Sequence, residues 1–112
     1  MTRYLIDGIS YTEHGCGVLY GVLETTQNKS EVQELVDLLQ DLEEEFFKIR
    51  KSFQPSRIHK EQIEIMKSIV KAFEDKLNTN KSITQKEYEV LQQGLVCIHQ
   101  GLDELLKSSN VR

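Results

Sequence analysis

The chain of 112 residues contains no tryptophan, one proline, two cysteines and three histidines, and each scarcity excludes something. Two cysteines cannot staple a disulfide-dense secreted fold, so a reducing cytoplasm is the expected setting. With Pro55 as the only proline, helices elsewhere meet no obligatory break. The longest apolar run, Gly15 to Leu23, is interrupted by glycines and falls far short of the roughly 18–20 residues that a membrane-spanning helix requires. The start, Met1-Thr2-Arg3-Tyr4-Leu5-Ile6-Asp7, reaches an acid after two apolar residues and so lacks the continuous hydrophobic segment of a secretion signal. A soluble protein with no membrane partner is expected.

What is present is an ordinary globular composition. With 38% hydrophobic and 29% charged residues, one domain spanning 1–112 is expected, and about two thirds of the surface of an unfolded chain this long can be buried. Fourteen Lys and Arg against eighteen Asp and Glu give a net charge of -4, which works against non-specific attraction to nucleic acid.

Apolar residues recur at helical spacing through the middle and C-terminal parts. From Val32 the series continues Leu35, Leu39, Leu42, Phe46, Ile49, Phe53, and Ser30 with Gln33 has the form of a capping box, so a helix is predicted from about Glu31 to Phe53. Pro55 ends it. A second face reads Ile63, Met66, Val70, Phe73, Leu77, widened by Ile65 and Ile69 and capped by Ser56 or a neighbour. Asn78-Thr79-Asn80-Lys81 is predicted to stop that helix through the left-handed conformation that Asn tolerates. Thr84 and Glu87 form a second capping box, with Ile83 stapled to Tyr88, before the face Tyr88, Leu91, Leu95, Ile98, Leu102, Leu105. Residues 108–112 should fray.

Residues 1–29 are less legible. Tyr4 to Tyr11 could be a hairpin about Asp7-Gly8, but no third strand is present to support one, so a helix with Leu5, Ile9, Cys16, Leu19 or Tyr20, and Leu23 inward is preferred. The predicted fold is therefore all-α, an antiparallel up-down bundle of three to four helices. A disordered first segment would leave an apolar stripe bare and imply a homodimer.

His14, Cys16, Cys97 and His99 have the donor atoms of a tetrahedral zinc site, but Cys97 and His99 lie about 200° apart around a predicted helix. The preferred reading is two small buried thiols; a metal- or redox-responsive protein using His14, Cys16 and Cys97 is the alternative, and no cofactor is expected. A bundle di-iron site needs Glu-x-x-His, whereas Tyr11, Ser56 and Val96 stand three before the histidines. With no phosphate loop, zincin or nucleophile spacing either, the protein is expected not to be an enzyme.

Seven acids and no base occur between Glu31 and Glu45, followed by Lys48, Arg50, Lys51, Arg57 and Lys60 with no acid between them. This order complements the helix macrodipole, and it also offers a surface that could select an oppositely charged partner. Glu34, Asp37, Asp41, Glu44, Glu45, Lys48, Lys51 and Arg57 are accordingly the candidate partner-binding residues, and weak nucleic-acid binding by the basic 48–60 segment is a further alternative. Gly94 and Gly101, with Val90 and Cys97 on the same stripe, and Gly8 with Gly15 and Gly17 with Gly21 in the first segment, suggest close packing of the first and last helices; the alternative is a groove where a partner helix approaches the backbone, with Val90 and Cys97 in the contact. The segment Pro55 to Glu64 resembles the interhelical turn of some small four-helix proteins, which implies a fold and no function. Together these readings give a small non-enzymatic interaction module: an adaptor, inhibitor, antitoxin-like or immunity-like regulator of bacterial or phage type.

Overall fold

The computed structural model describes residues 3–27, 29–51 and 58–110. They form four α-helices and one short 3-10 turn: α1 Arg3–Thr25, the turn Lys29–Val32, α2 Gln33–Lys51, α3 Ile58–Thr79 and α4 Gln85–Asn110. The fold is the expected all-α antiparallel bundle with four helices, elongated to 46 × 19 × 19 Å. None of these helices is long and apolar enough to cross a membrane.

The hairpin alternative fails for a physical reason. Gly8, the candidate turn glycine, lies in the second turn of α1, where a Cβ would sit 2.6 Å from Leu105 Cγ and 2.9 Å from its backbone nitrogen. The missing side chain therefore makes room for α4. The same pattern continues along the seam: Gly15 lies against Ile98, Gly101 against Thr12, and Gly94 against Val18 and Leu19. These pairings run in opposite directions along the two helices, so α1 and α4 are antiparallel and interlock through small residues. Close packing of the first and last helices explains Gly8, Gly15, Gly94 and Gly101, whereas Gly17 and Gly21, expected in the same seam, face open space.

Among the described residues α1 and α4 pack most extensively, α2 and α3 next, and the α1–α2 and α3–α4 sides more sparsely. The predicted stripes converge on one core. Leu35, Leu42, Ile63, Met66, Leu91 and Leu102 are each at most 2% exposed. On α1 the inward residue is Leu19, and Tyr20 faces out. Ile65 does not widen the core, because its position lies about 120° from the centre of the α3 stripe, and it is exposed. Phe53, Pro55 and Ser56, expected to mark the end of α2 and the start of α3, lie outside the described residues.

Three boundaries differ from the expected ones. The turn Lys29–Val32 precedes α2, and the Gln33 side chain donates to Asp37 Oδ1 at 2.9 Å, one turn into the helix. No non-glycine residue among those described has a positive φ, so α3 does not end in a left-handed asparagine. Asn80 ends it by side-chain bonding: its Oδ1 accepts from the Ser82 amide at 2.8 Å and its Nδ2 donates to the Glu31 carbonyl at 3.0 Å. α4 runs through Asn110 with Ser108 buried, so fraying does not begin at Ser108.

The second capping box is formed as predicted. The Thr84 amide donates to Glu87 Oε1 at 2.9 Å and the Glu87 amide donates to Thr84 Oγ1 at 3.1 Å. The bond from the Thr84 amide is the main reason the Glu87 carboxyl titrates below its ordinary range. A lowered folded-state value means that this stabilisation is present above the ordinary carboxylate range and is lost as pH falls through the lowered value. Glu87→Ala, which removes the carboxylate that accepts from the Thr84 amide, is therefore expected to destabilise the protein at neutral pH and by less in acid. Urea denaturation at the two conditions checks this, and an equal penalty in both would remove Glu87 from the cap.

Candidate functional site

Helical spacing gathers Glu34, Asp37, Asp41, Glu44, Glu45, Lys48 and Lys51 on one side of α2, within roughly a third of its circumference. All are exposed except the half-buried Glu45. Arg57, the eighth candidate, lies outside the described residues. The cluster is partly neutralised from within. Lys48 Nζ lies 2.9 Å from Glu45 Oε1, and Lys76 Nζ on α3 lies 3.3 Å from Glu34 Oε2. Asp37, Asp41 and Glu44 make no ion pair among the described residues, so these three carry the residual negative charge of the face. The basic end of α2 is also engaged: Arg50 reaches Glu13 of α1 at 3.5 Å and lies 5.8 Å over the Phe46 ring. That engagement weakens the case for a phosphate-binding surface.

Beside this face is a feature that the sequence reading did not single out. Glycines draw α1 onto α4, and the α1–α2 side is left as a cleft of about 300 Å³. Leu23, Val32, Val36 and Leu39 give it an apolar floor, while Gln33, Gln40 and Glu43 are polar groups in its lining. Tyr20 belongs to this cleft and also to an adjoining shallow depression with Phe47, Gln40 and Glu44. Tyr20 is 56% exposed and Phe47 61% exposed. Glu44 thus joins the acidic face to the aromatic pair. Burial pushes the Glu43 carboxyl above its ordinary value, as expected for an acid at the edge of an apolar hollow.

A signal for this site was available in the sequence. Phe46 and Phe47 are adjacent on a helix, as are Leu19 and Tyr20, and neighbours about 100° apart cannot both occupy the centre of one stripe. Once Phe46 and Leu19 point inward, Phe47 and Tyr20 are displaced toward solvent.

The cysteine and histidine candidates do not converge. Cys16 is in the core, whereas His14, two residues earlier on α1, is exposed. Both cysteines are free, Cys97 half-buried on α4, and His99 Nε2 lies 3.0 Å from Glu74 Oε1 of α3. Burial, reinforced by Glu43 and Glu13, pushes the Cys16 thiol up to about 12, which keeps it protonated and a poor nucleophile at neutral pH. No group of three or more His, Cys, Asp or Glu among the described residues is placed to hold a metal ion.

The class defined by this geometry is a four-helix antiparallel bundle with an aromatic and acidic side. Comparison with known proteins adds nothing further, since no family model, curated protein or solved structure matches the chain.

Proposed function

We propose that this protein is a non-enzymatic binding module that engages another protein through the α1–α2 cleft and the adjoining acidic face of α2. The observation that carries the reading is the exposed pair Tyr20 and Phe47, set beside an apolar-floored cleft of about 300 Å³ and next to Glu44. Exposed aromatics above a concave apolar floor are the usual anchors of an interface, and charges around them steer the partner and fix its orientation. The chemistry describes the partner as well: a segment, most simply a helix, with an apolar side chain for the cleft and Lys or Arg beside it.

The test is a titration followed by backbone amide NMR, with a helical leucine–lysine amphipathic peptide as probe. Shifts confined to Tyr20–Glu24 and Val32–Lys48, and weakened at low salt when Asp37, Asp41 and Glu44 are replaced together by Lys, are the expected result. Shifts spread over all four helices, or unchanged binding by the charge-reversed variant at low salt, would overturn the proposal. These acids are exposed on a helix face, so the variant should keep its fold, which circular dichroism checks.

A further inference from the structure

A second surface, which shares only Glu24 with the lining of the cleft, is the outer face of α1. It contains Gly17 and Gly21, and a Cβ added at either would meet nothing within 4 Å. Glycine inside a helix is unfavourable relative to alanine, and here, unlike at Gly8 and Gly15, no neighbouring helix accounts for it. Ile6 on the same face is 53% exposed, and a shallow hollow is lined by Ile6, Ser10, Glu13, His14 and Gly17.

The pattern becomes informative when α1 is laid against a second α1 running the opposite way. With the two-fold axis between Glu13 and His14, four kinds of pair form: Arg3 opposite Glu24, Ile6 opposite Gly21, Ser10 opposite Gly17, and Glu13 opposite His14. Every one of these residues is exposed. Larger side chains fall on glycines, the Arg3 guanidinium faces the Glu24 carboxylate and the His14 ring faces the Glu13 carboxylate, and the symmetry makes each pair occur twice. The large-on-small arrangement is the one the chain already uses internally, where Leu105 covers Gly8, Ile98 covers Gly15 and Leu19 covers Gly94. A parallel, in-register pairing would instead place Glu13 on Glu13 and Glu24 on Glu24, so charge selects the antiparallel one. The ion pairs that would compete, Arg3–Asp7 and Glu13–Arg50, are exposed and each 3.5 Å long, so little is lost in exchanging them.

We infer that the occupant of this face is a second copy of the chain, joined through an antiparallel α1–α1 seam. This differs from the dimer that a disordered first segment would require, because α1 here completes the core and pairs through its opposite side. A single helix pair is a small interface, at or below the lower end of specific association, so the dimer should be weak and concentration-dependent.

Sedimentation equilibrium of the purified chain from about 10 µM to about 1 mM should show a monomer–dimer equilibrium. Arg3→Glu and Glu24→Arg should each weaken it by about tenfold or more, and the two together should restore it, since the pair is then re-formed with signs exchanged. Gly17→Gln with Gly21→Gln should abolish the dimer while raising the thermal midpoint of dilute monomer, because glutamine favours helix and the space at both positions is open. A monomer at every concentration, a dimer indifferent to the glycine replacements, or a double charge exchange that fails to restore association would each overturn the inference. None of these readouts depends on peptide binding at the cleft, so the two surfaces stand or fall separately.

Discussion

Gly15→Ala is expected to destabilise the protein by about 2 kcal/mol, whereas Gly17→Ala, two residues along the same helix, is expected to stabilise it by up to about 1 kcal/mol. Alanine is the better helix former at both positions, so the difference comes entirely from what the added carbon meets. At position 15 it would lie 2.5 Å from Ile98 Cγ1, 2.6 Å from the Gly94 carbonyl oxygen and 3.0 Å from the Ile98 amide nitrogen. Two of those three atoms are backbone, so no rotamer change relieves the contact and α1 must move away from α4. Overpacking of this kind costs about 1–3 kcal/mol, and rigid backbone on the far side places the cost at the upper end, from which the propensity gain of about 1 kcal/mol is subtracted. For a chain with a total stability of roughly 5–15 kcal/mol, the net loss is a large fraction. At position 17 there is nothing within 4 Å, and the propensity gain is left intact. Urea denaturation midpoints of the two variants check the pair of signs. A Gly15→Ala protein as stable as Gly17→Ala would mean that the helices are not as close as described. The double variant Gly15→Ala/Gly94→Ala should cost less than the two single losses added together, because separating the helices at one position relieves the other.

The three apolar stripes from Val32 onward, the capping box at Thr84 and Glu87, and the close approach of the first and last helices are legible because each is a local pattern, whereas Asp7-Gly8 and the choice between Leu19 and Tyr20 leave the first helix ambiguous. A period near 3.6 identifies an inward face whatever lies opposite it, and two glycines seven residues apart on one helix announce a seam even before the partner helix is known. The start of α2 and the end of α3 were less legible. They depend on long-range bonds such as Asn80 to the Glu31 carbonyl, which no local pattern encodes. The α1–α2 cleft was missed for a similar reason. Its width follows from a difference: glycines draw α1 toward α4, and no matching stripe of small residues draws it toward α2. Sequence periodicity assigns a face to each helix but not the distance to each neighbour, and that distance decides whether Tyr20 and Phe47 are covered or displayed. The acids of α2 share one face by their spacing alone, while the partial neutralisation of that face by Lys48 and by Lys76 of α3 depends on the packing.

Phe47→Ala is expected to leave the fold almost untouched and to weaken binding of the leucine–lysine peptide, or of a natural partner of the same chemistry, by roughly 30-fold or more. The side chain is 61% exposed, so on the order of 100 Å² of aromatic surface remains to be buried by a ligand. At about 25 cal/mol per Å² this corresponds to about 2.5 kcal/mol, above the usual threshold for an interface anchor. Removing it from the free protein forfeits little, since a surface substitution on a helix usually changes stability by less than about 0.5 kcal/mol. Asp41→Lys and Glu44→Lys should behave differently. Charges at the rim act mainly on the association rate and its salt dependence, so these variants should bind more slowly at low salt and approach wild-type behaviour as salt screens the field. Calorimetric affinities for Phe47→Ala and stopped-flow association rates for the charge variants separate the two roles. If Phe47→Ala binds as tightly as the wild type while the charge variants lose affinity at every salt concentration, recognition is electrostatic and the aromatic pair is not its anchor. The reverse pattern would make the cleft the seat of affinity, with the acids of α2 guiding the ligand toward it.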